Sequence, residues 1–178
     1  MEIRTALKGQ YKAGLAMLRD CIAKCPDDLW ASGNRSLTAT DARQAEERGA
    51  RTFWRVAYHA LYFTHLYAMP KEADFVAWEK HQEQAMDIWI GPEDPIPPME
   101  TTYTQSEVLE YLDWMVTQID GWVDAVDLSS QESGFHWYKD FPKLDHQILN
   151  VRHIGTHVGQ LSERLMEAGI DTDWVSRR

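Results

Sequence analysis

The sequence predicts an all-α protein built as a four-helix bundle, with a long crossover between the second and third helices. Four segments of roughly 20 residues or more carry apolar residues at helical spacing, and no segment shows a convincing strand pattern. The chain has 178 residues, 44% of them apolar, which fits one folded domain over residues 1–178.

The first two predicted helices differ in how much of their surface is apolar. In the first, Ile3–Lys24, apolar residues recur every three or four positions and form a single stripe, and the Pro-Asp-Asp sequence that follows ends the helix. The second, Asp41–Ala68, has Thr40 or Asp41 as its cap. Between Phe53 and Tyr67 it is apolar nearly all round, which predicts neighbours on several sides.

The crossover covers residues 71–103 and has the weakest pattern in the chain. Its first part is predicted to hold a short helix at Trp78–Trp89. Its second part, GPEDPIPPMETTY, is a proline-rich loop in which no regular hydrogen bonding is expected.

The third and fourth helices have clear boundary signals. Thr104 and Glu107 form a capping-box signature, and the third helix that they open keeps its apolar residues in step as far as Val126. Residues 127–143 are predicted to form a loop anchored by aromatic side chains. The fourth helix runs over Leu144–Ala168, and Gly169 is a natural stop.

Composition excludes several classes of function. The net charge of −10 argues against a general nucleic-acid binder, whose affinity depends on basic residues that neutralise phosphates. No apolar run approaches the length that spans a bilayer and no signal peptide is evident, so we expect a cytoplasmic protein without a membrane partner. Cys21 and Cys25 fall within the helical apolar pattern and are interpreted as structural.

Three histidines suggest a metal site. His153 and His157 lie four residues apart, so on a helix their rings project from one face. His59 lies among apolar and aromatic residues, where an imidazole without a partner costs about 1–3 kcal/mol. A carbonyl, hydroxyl, water or metal ion would satisfy it. If the three meet, they suit zinc, nickel, cobalt or iron and leave at least one coordination position open.

Four further residues are candidates for the surroundings of this site. Together with Arg164 and the two fourth-helix histidines, His146, Asn150 and Gln160 form a polar seam along the border of the apolar face, which is either a pocket wall or the margin of the exposed face. Asn150 and Gln160 are placed to accept N–H groups from ligating rings. His146 is a candidate for the pocket mouth, whereas Tyr62 either approaches the open coordination position or packs in the core.

Other side chains carry less information. His65 projects from a different face of the second helix than His59 and is interpreted as a packing or surface residue. Among the eight tryptophans, Trp78, Trp89 and Trp137 lie in the connections and are candidates for the wall of a substrate pocket.

The segments FWRVAYHALYFTHLYA (residues 53–68) and FPKLDHQILNVRHIGTHVGQL (residues 141–161) together resemble the DinB/YfiT-like superfamily. The opening QYKAGLAMLRDCIAKCPDDLWAS (residues 10–32) is similar to the first helix of that family. The strongest motif is the histidine of the second helix combined with HxxxHxxQ in the last. The resemblance covers most of the chain and is weakest over residues 71–103.

This resemblance implies a bundle of up-down-down-up topology, commonly a homodimer. It also implies a divalent metal ion, typically zinc or nickel, with His59, His153 and His157 as its ligands. Characterised relatives include enzymes that transfer or use low-molecular-weight thiols.

Three classes of function stay open on the sequence. The first is a metal-dependent enzyme that activates a low-molecular-weight thiol or water toward a small electrophilic substrate. The second is a protein in which the metal ion is structural. The third is an interaction module that holds no metal. The sequence identifies no general acid or base, because no Asp or Glu has a spacing from the histidines that would indicate such a role.

Overall fold

The computed structural model describes residues 2–33, 43, 49–88, 95 and 103–178, and these residues form helices, turns and no strand. The α-helices with described bounds are α1 (Ile3–Lys24), α2 (Asp27–Trp30), α3 (Phe53–Ala68), α4 (Gln105–Ala125) and α5 (Lys143–Glu167), and a single 3₁₀ turn covers Glu72–Asp74. The arrangement is compatible with a helical bundle, and the expectation of an all-α chain is confirmed.

Side chains and one glycine set the ends of the long helices. The predicted capping box is present: Glu107 N–H donates to the Thr104 hydroxyl, and Thr104 N–H donates to the Glu107 carboxylate at 2.9 Å. At the other end of the chain, Gly169 has a φ of +78° and follows α5 directly. Local signals therefore located these boundaries to within one or two residues.

The predicted second helix is wrong in one respect, because it is not continuous as far as Ala68. Residues 49 and 50 are helical, but the backbone is irregular at 51 and 52. The Thr52 hydroxyl accepts from Arg55 N–H and starts α3 as a new helix. The predicted start at Thr40 or Asp41 lies outside the described residues.

The short helix predicted at Trp78–Trp89 is also wrong over its described part, which ends at residue 88 and forms turns. Side chains from elsewhere satisfy its backbone: the Tyr103 hydroxyl accepts from Gln82 N–H, and the Arg55 guanidinium donates to Gln84 O. Gln84 has a φ of +64°, which no α-helix accommodates. Trp89 and nearly all of the proline-rich loop lie outside the described residues.

Contacts between the long helices define their neighbours and directions. Helix α1 packs against α4 and α5, and α3 also packs against α4 and α5. Ion pairs from Lys8 to Asp124 and from Arg19 to Asp113 show that α1 and α4 run antiparallel. Gly14 beside Ile154 and, farther along, Cys21 beside Ser162 show that α1 and α5 run parallel.

The register of α3 against α5 is fixed by hydrogen bonds within the core. Gln147 donates to Tyr67 O at 2.9 Å, and Asn150, three residues later, donates to Thr64 O at 3.0 Å. The residue number falls on α3 as it rises on α5, so these helices are antiparallel. Lys143 donates to Met69 O just beyond the end of α3, where carbonyl groups lack helical partners.

No helix within the described ranges combines the length and apolar character that crossing a membrane requires.

Two glycines with positive φ, Gly134 and Gly169, differ in how closely other atoms surround them. Gly134 has a φ of +82°, and a Cβ there would lie 2.6 Å from Pro70 O, whereas a Cβ on Gly169, at a similar φ, would meet no atom within 4 Å. We expect Gly169→Ala to lower the free energy of unfolding by about 1 kcal/mol and Gly134→Ala by about 3 kcal/mol or more. Urea unfolding measures both, and equal losses would contradict this packing of the loop.

Candidate metal centre

The structure brings His59, His153 and His157 together, although they lie on two different helices. His59 projects from α3, and the other two project from successive turns of α5. Gln147 and Asn150 hold these helices in register, so that the next turn of α5 lies beside His59. His59 and His157 are buried, and His153 is partly buried.

The Nε2 atoms of the three rings converge. His153 Nε2 lies 3.2 Å from His59 Nε2 and 3.0 Å from His157 Nε2. Nitrogen ligands of a tetrahedral ion with bonds of about 2.0–2.1 Å lie about 3.3–3.4 Å apart. One ligand atom from each ring falls within 4.8 Å of the others, so the trio has the dimensions of a metal site.

Hydrogen bonds on the far side of two rings fix which nitrogen carries the proton. His59 Nδ1 lies 2.6 Å from Met86 O, and because a carbonyl only accepts, Nδ1–H donates to it. His157 Nδ1 donates to Gln160 Oε1 at 2.9 Å. Each neutral ring therefore presents an Nε2 lone pair to the point of convergence, as ligating histidines commonly do.

The third ring cannot satisfy both of these lone pairs. A proton on His153 Nε2 would serve either His59 or His157 and leave the other lone pair buried without a partner. With the proton on His153 Nδ1, all three Nε2 atoms present lone pairs to one another. A cation at the centre satisfies the three together, and this is the observation that most favours a metal ion.

Burial keeps these rings in the form that binds metal. It lowers the pKa of His59 to about 2, with further lowering from the neighbouring His157 and His153, and lowers the pKa of His153 to about 3. The pKa of His157 is also lowered by burial. Neutral imidazole is the ligating form, so protons compete weakly for this site at neutral pH.

These three histidines form a group of the kind that can hold a metal ion. Three imidazole ligands suit a divalent transition metal and leave room for a further ligand. The chain was compared with family models, curated proteins and solved structures, and it matches none of them. The evidence for a metal site here is therefore the distances, hydrogen bonds and burial given above.

A cavity of about 510 Å³ opens beside the three rings. One part of its wall is apolar and comes from α3, α5 and the connection before α4. The other part is charged and comes mainly from α5. The apolar residues are Val56, Ile88, Leu149 and Leu161, and the charged residues are Arg51, Arg152, Glu163, Arg164 and Glu167.

The four further candidates from the sequence occupy different surroundings. Gln160 lines the cavity and binds His157, as described above. Asn150 instead binds the backbone of α3. Tyr62 packs against Phe75 and His81, and neither it nor Asn150 or His146 lines the cavity beside the histidines. The polar seam on α5 is thus partly a pocket wall and partly an internal contact between helices.

His146 is fully buried in an aromatic cluster rather than at the pocket mouth. Neither ring nitrogen has a hydrogen-bond partner among the described residues. The rings around it are those of Tyr67, Phe135, Tyr138 and Phe141.

Sequence reasoning missed two kinds of group at this site. The first is the Met86 carbonyl, which orients His59 from a segment of weak pattern, and a backbone atom leaves no signal in the sequence. The second is the pair Arg51 and Arg152, which are far apart in sequence but meet at the cavity with Arg164, a member of the predicted polar seam.

The role of Gln160 in orienting His157 can be tested by measuring the affinity of the protein for zinc. We expect Gln160→Ala to weaken zinc binding about 10–100-fold, because His157 loses the partner that fixes its tautomer and orientation. Competition with a chromophoric chelator gives the dissociation constant. Gln131→Ala, at an exposed position in the loop before α5, is the matched control and should bind as the wild type does. Equal affinities in both variants would contradict the assigned role.

His146 makes stability depend on pH. Burial lowers its pKa from 6.5 to about 4, so as pH falls the unfolded chain takes up the proton first and stability is lost from about pH 6.5 downward. Between pH 7.5 and pH 5 this residue should account for about 2 kcal/mol of that loss. Urea unfolding at both pH values should show a correspondingly smaller loss for His146→Phe. An unchanged pH dependence would contradict the neutral buried ring.

Proposed function

We propose that this chain is a divalent-metal-dependent enzyme of the DinB/YfiT-like kind, with zinc or nickel held by His59, His153 and His157. The observation that carries the proposal is the convergence of three Nε2 lone pairs at the wall of a cavity. A structural ion needs no cavity beside it, so the open space favours catalysis over a purely structural role.

When bound, the ion supplies a Lewis acid with an open position that lowers the pKa of a thiol or water and so generates a nucleophile near neutral pH. The residues of the chain hold the geometry for this chemistry. Met86 O and Gln160 orient two of the rings, and the packing of α3 on α5 sets their separation. A low-molecular-weight thiol is the cosubstrate that we propose.

The cavity wall indicates a small substrate with an apolar part. Val56, Ile88, Leu149 and Leu161 cover one side of the space. A nucleophile that lies against this side loses part of its hydration, which favours its attack on an electrophilic carbon. A volume of about 510 Å³ lies in the range of small-molecule sites.

Arginines at the cavity favour a substrate that carries negative charge. Arg164 donates to backbone carbonyl groups, those of Arg51, Ser32 and Gly33, which do not neutralise its positive charge, although Glu167 on the same wall interacts with it electrostatically. Arg152 is exposed on the cavity rim. We infer that the electrophile bears a carboxylate or a similar anionic group, which Arg152 attracts.

The helix directions support the assignment to this superfamily. Helices α1 and α5 run one way and α3 and α4 run the other, which agrees with the up-down-down-up order that the resemblance implies. Homodimerisation belongs to the same proposal. Between α1 and α5 an apolar groove includes the half-exposed side chains of Ile3 and Ile148, which a second copy of the chain would cover.

Metal reconstitution tests the enzymatic proposal. We expect apoprotein loaded with one equivalent of zinc or nickel to conjugate a low-molecular-weight thiol to an electrophile, and the apoprotein to do so at the uncatalysed rate. Electrophiles should be supplied as pairs that differ by one carboxylate. Arg152→Ala should lower kcat/KM about 5–50-fold for the anionic member only, the range for loss of one charge-assisted contact.

A separate readout distinguishes catalysis from a structural ion. Thermal unfolding of His59→Ala should show a modest loss of stability while conjugation is abolished. Cobalt substitution reports binding without turnover, because a thiol that reaches the ion alters the visible spectrum. A large drop in melting temperature in His59→Ala, with no spectral response to any thiol, would overturn the enzymatic proposal and favour a structural role.

A further inference from the structure

A second cavity of about 510 Å³ lies between α3, α4 and the segment that follows α3. It shares no lining residue with the cavity beside the three histidines. The proposed function makes no use of it. Three of its lining residues are tryptophans: Trp78 from the connecting segment, and Trp114 and Trp122 from α4.

The aromatic rings form a corner rather than a flat surface. The rings of Trp114 and Trp122 meet at 71° with centroids 5.6 Å apart. His65 stacks on Trp122 at 4.7 Å and meets Trp114 edge-on at 5.1 Å. Trp114 is 40% exposed, so part of its ring is accessible to a ligand in this corner.

The charged residues that line this corner are all acidic. Asp74, Glu79 and Glu110 line the cavity, and no lysine or arginine does so among the described residues, although Lys71 lies 3.7 Å from Asp74 and Lys80 lies 2.6 Å from Glu110 outside the lining. His65 adds no positive charge at neutral pH, because burial lowers its pKa to about 4. Electron-rich ring faces and carboxylates together attract a cation and repel an anion.

The chain places one of its own ammonium groups beside these walls. Lys80 Nζ lies 5.5 Å from the centroid of the Trp78 ring and 2.6 Å from Glu110 Oε2. This pair of contacts, one to an aromatic face and one to a carboxylate, is the recognition pattern of organic cations in proteins. Lys80 does not line the cavity, so the space between the tryptophans stays open to a ligand.

We propose that this cavity binds a small organic cation with a methylated ammonium group. Methyl groups spread the positive charge over a surface that fits against indole faces, and they donate no N–H groups that would need acceptors. The carboxylates of Asp74, Glu79 and Glu110 supply the counter-charge. The site stands apart from the metal centre, so the two proposals succeed or fail separately.

Calorimetry with a matched pair of probes tests the inference. Choline and its uncharged carbon analogue 3,3-dimethyl-1-butanol have nearly the same shape, so they differ mainly in charge. We expect saturable binding of choline, with quenching or enhancement of tryptophan fluorescence, and binding of the analogue at least ~10-fold weaker. Equal affinities would show apolar filling alone and overturn the proposal, as would the absence of saturable choline binding.

Variants locate the site. Trp114→Leu keeps an apolar side chain but removes the π face, so it should weaken choline at least ~5-fold and weaken the analogue less. Glu79→Gln should also weaken choline only. Trp174→Ala is the control, since Trp174 is 84% exposed and is not part of the lining, and it should bind choline normally. Loss in the control, or none in Trp114→Leu, would overturn the location.

Two further measurements distinguish this proposal from the metal-site proposal and from recognition of a methylated peptide. His59→Ala should bind choline as the wild type does, because His59 lines only the other cavity. A peptide with trimethyllysine tests a macromolecular source of the same group. Binding of the peptide at least ~10-fold tighter than that of choline would overturn the small-molecule assignment.

Discussion

The packing of α3 against α5 is the constraint on which the candidate metal centre depends. Side chains of α5 donate to backbone carbonyls near the end of α3, and these bonds fix the register one turn before the histidines. A slip of one turn would move His59 by about 5.4 Å, farther than the separation of its Nε2 from that of His153. The polar core residues of α5 therefore act in the geometry of the site without touching it.

Local patterns allowed much of the fold to be predicted, and tertiary hydrogen bonds account for the rest. The bounds of α1, the capping box of α4 and the glycine after α5 follow from residues close in sequence. The break before α3 also has a local signal, since Gly49 and the capping Thr52 directly precede the apolar run that begins at Phe53, and the prediction of one continuous helix overlooked it. The connecting segment has helical-looking composition, yet Arg55 and Tyr103, which are distant in sequence, bind its backbone and hold it in turns.

The residues of the candidate site likewise divide into those that local sequence patterns predict and those that they do not. His59, His153 and His157 could be predicted because helical spacing and an apolar environment are visible in sequence. Gln160 could be predicted from its place on the same face. The Met86 carbonyl and Arg51 could not, because they reach the site through the path of irregular segments, whereas Arg152 and Arg164 lie on α5 itself. The prediction that His146 lies at the pocket mouth is wrong for the opposite reason. The helical wheel places it in the polar seam, but aromatic rings of the loop before α5 cover it.

The segment between α3 and the proline-rich loop links the two cavities, since Ile88 lines one and Met86 binds one of its histidines, whereas Trp78 and Glu79 line the other. The two cavities differ in charge. Three arginines and two glutamates lie on the wall beside the histidines, whereas carboxylates and indole rings line the second space. In a chain with a net charge of −10, the average field repels anions, so an anionic substrate depends on the local arginines. An organic cation does not depend on local charges in this way, because the overall negative charge of the chain already favours its approach.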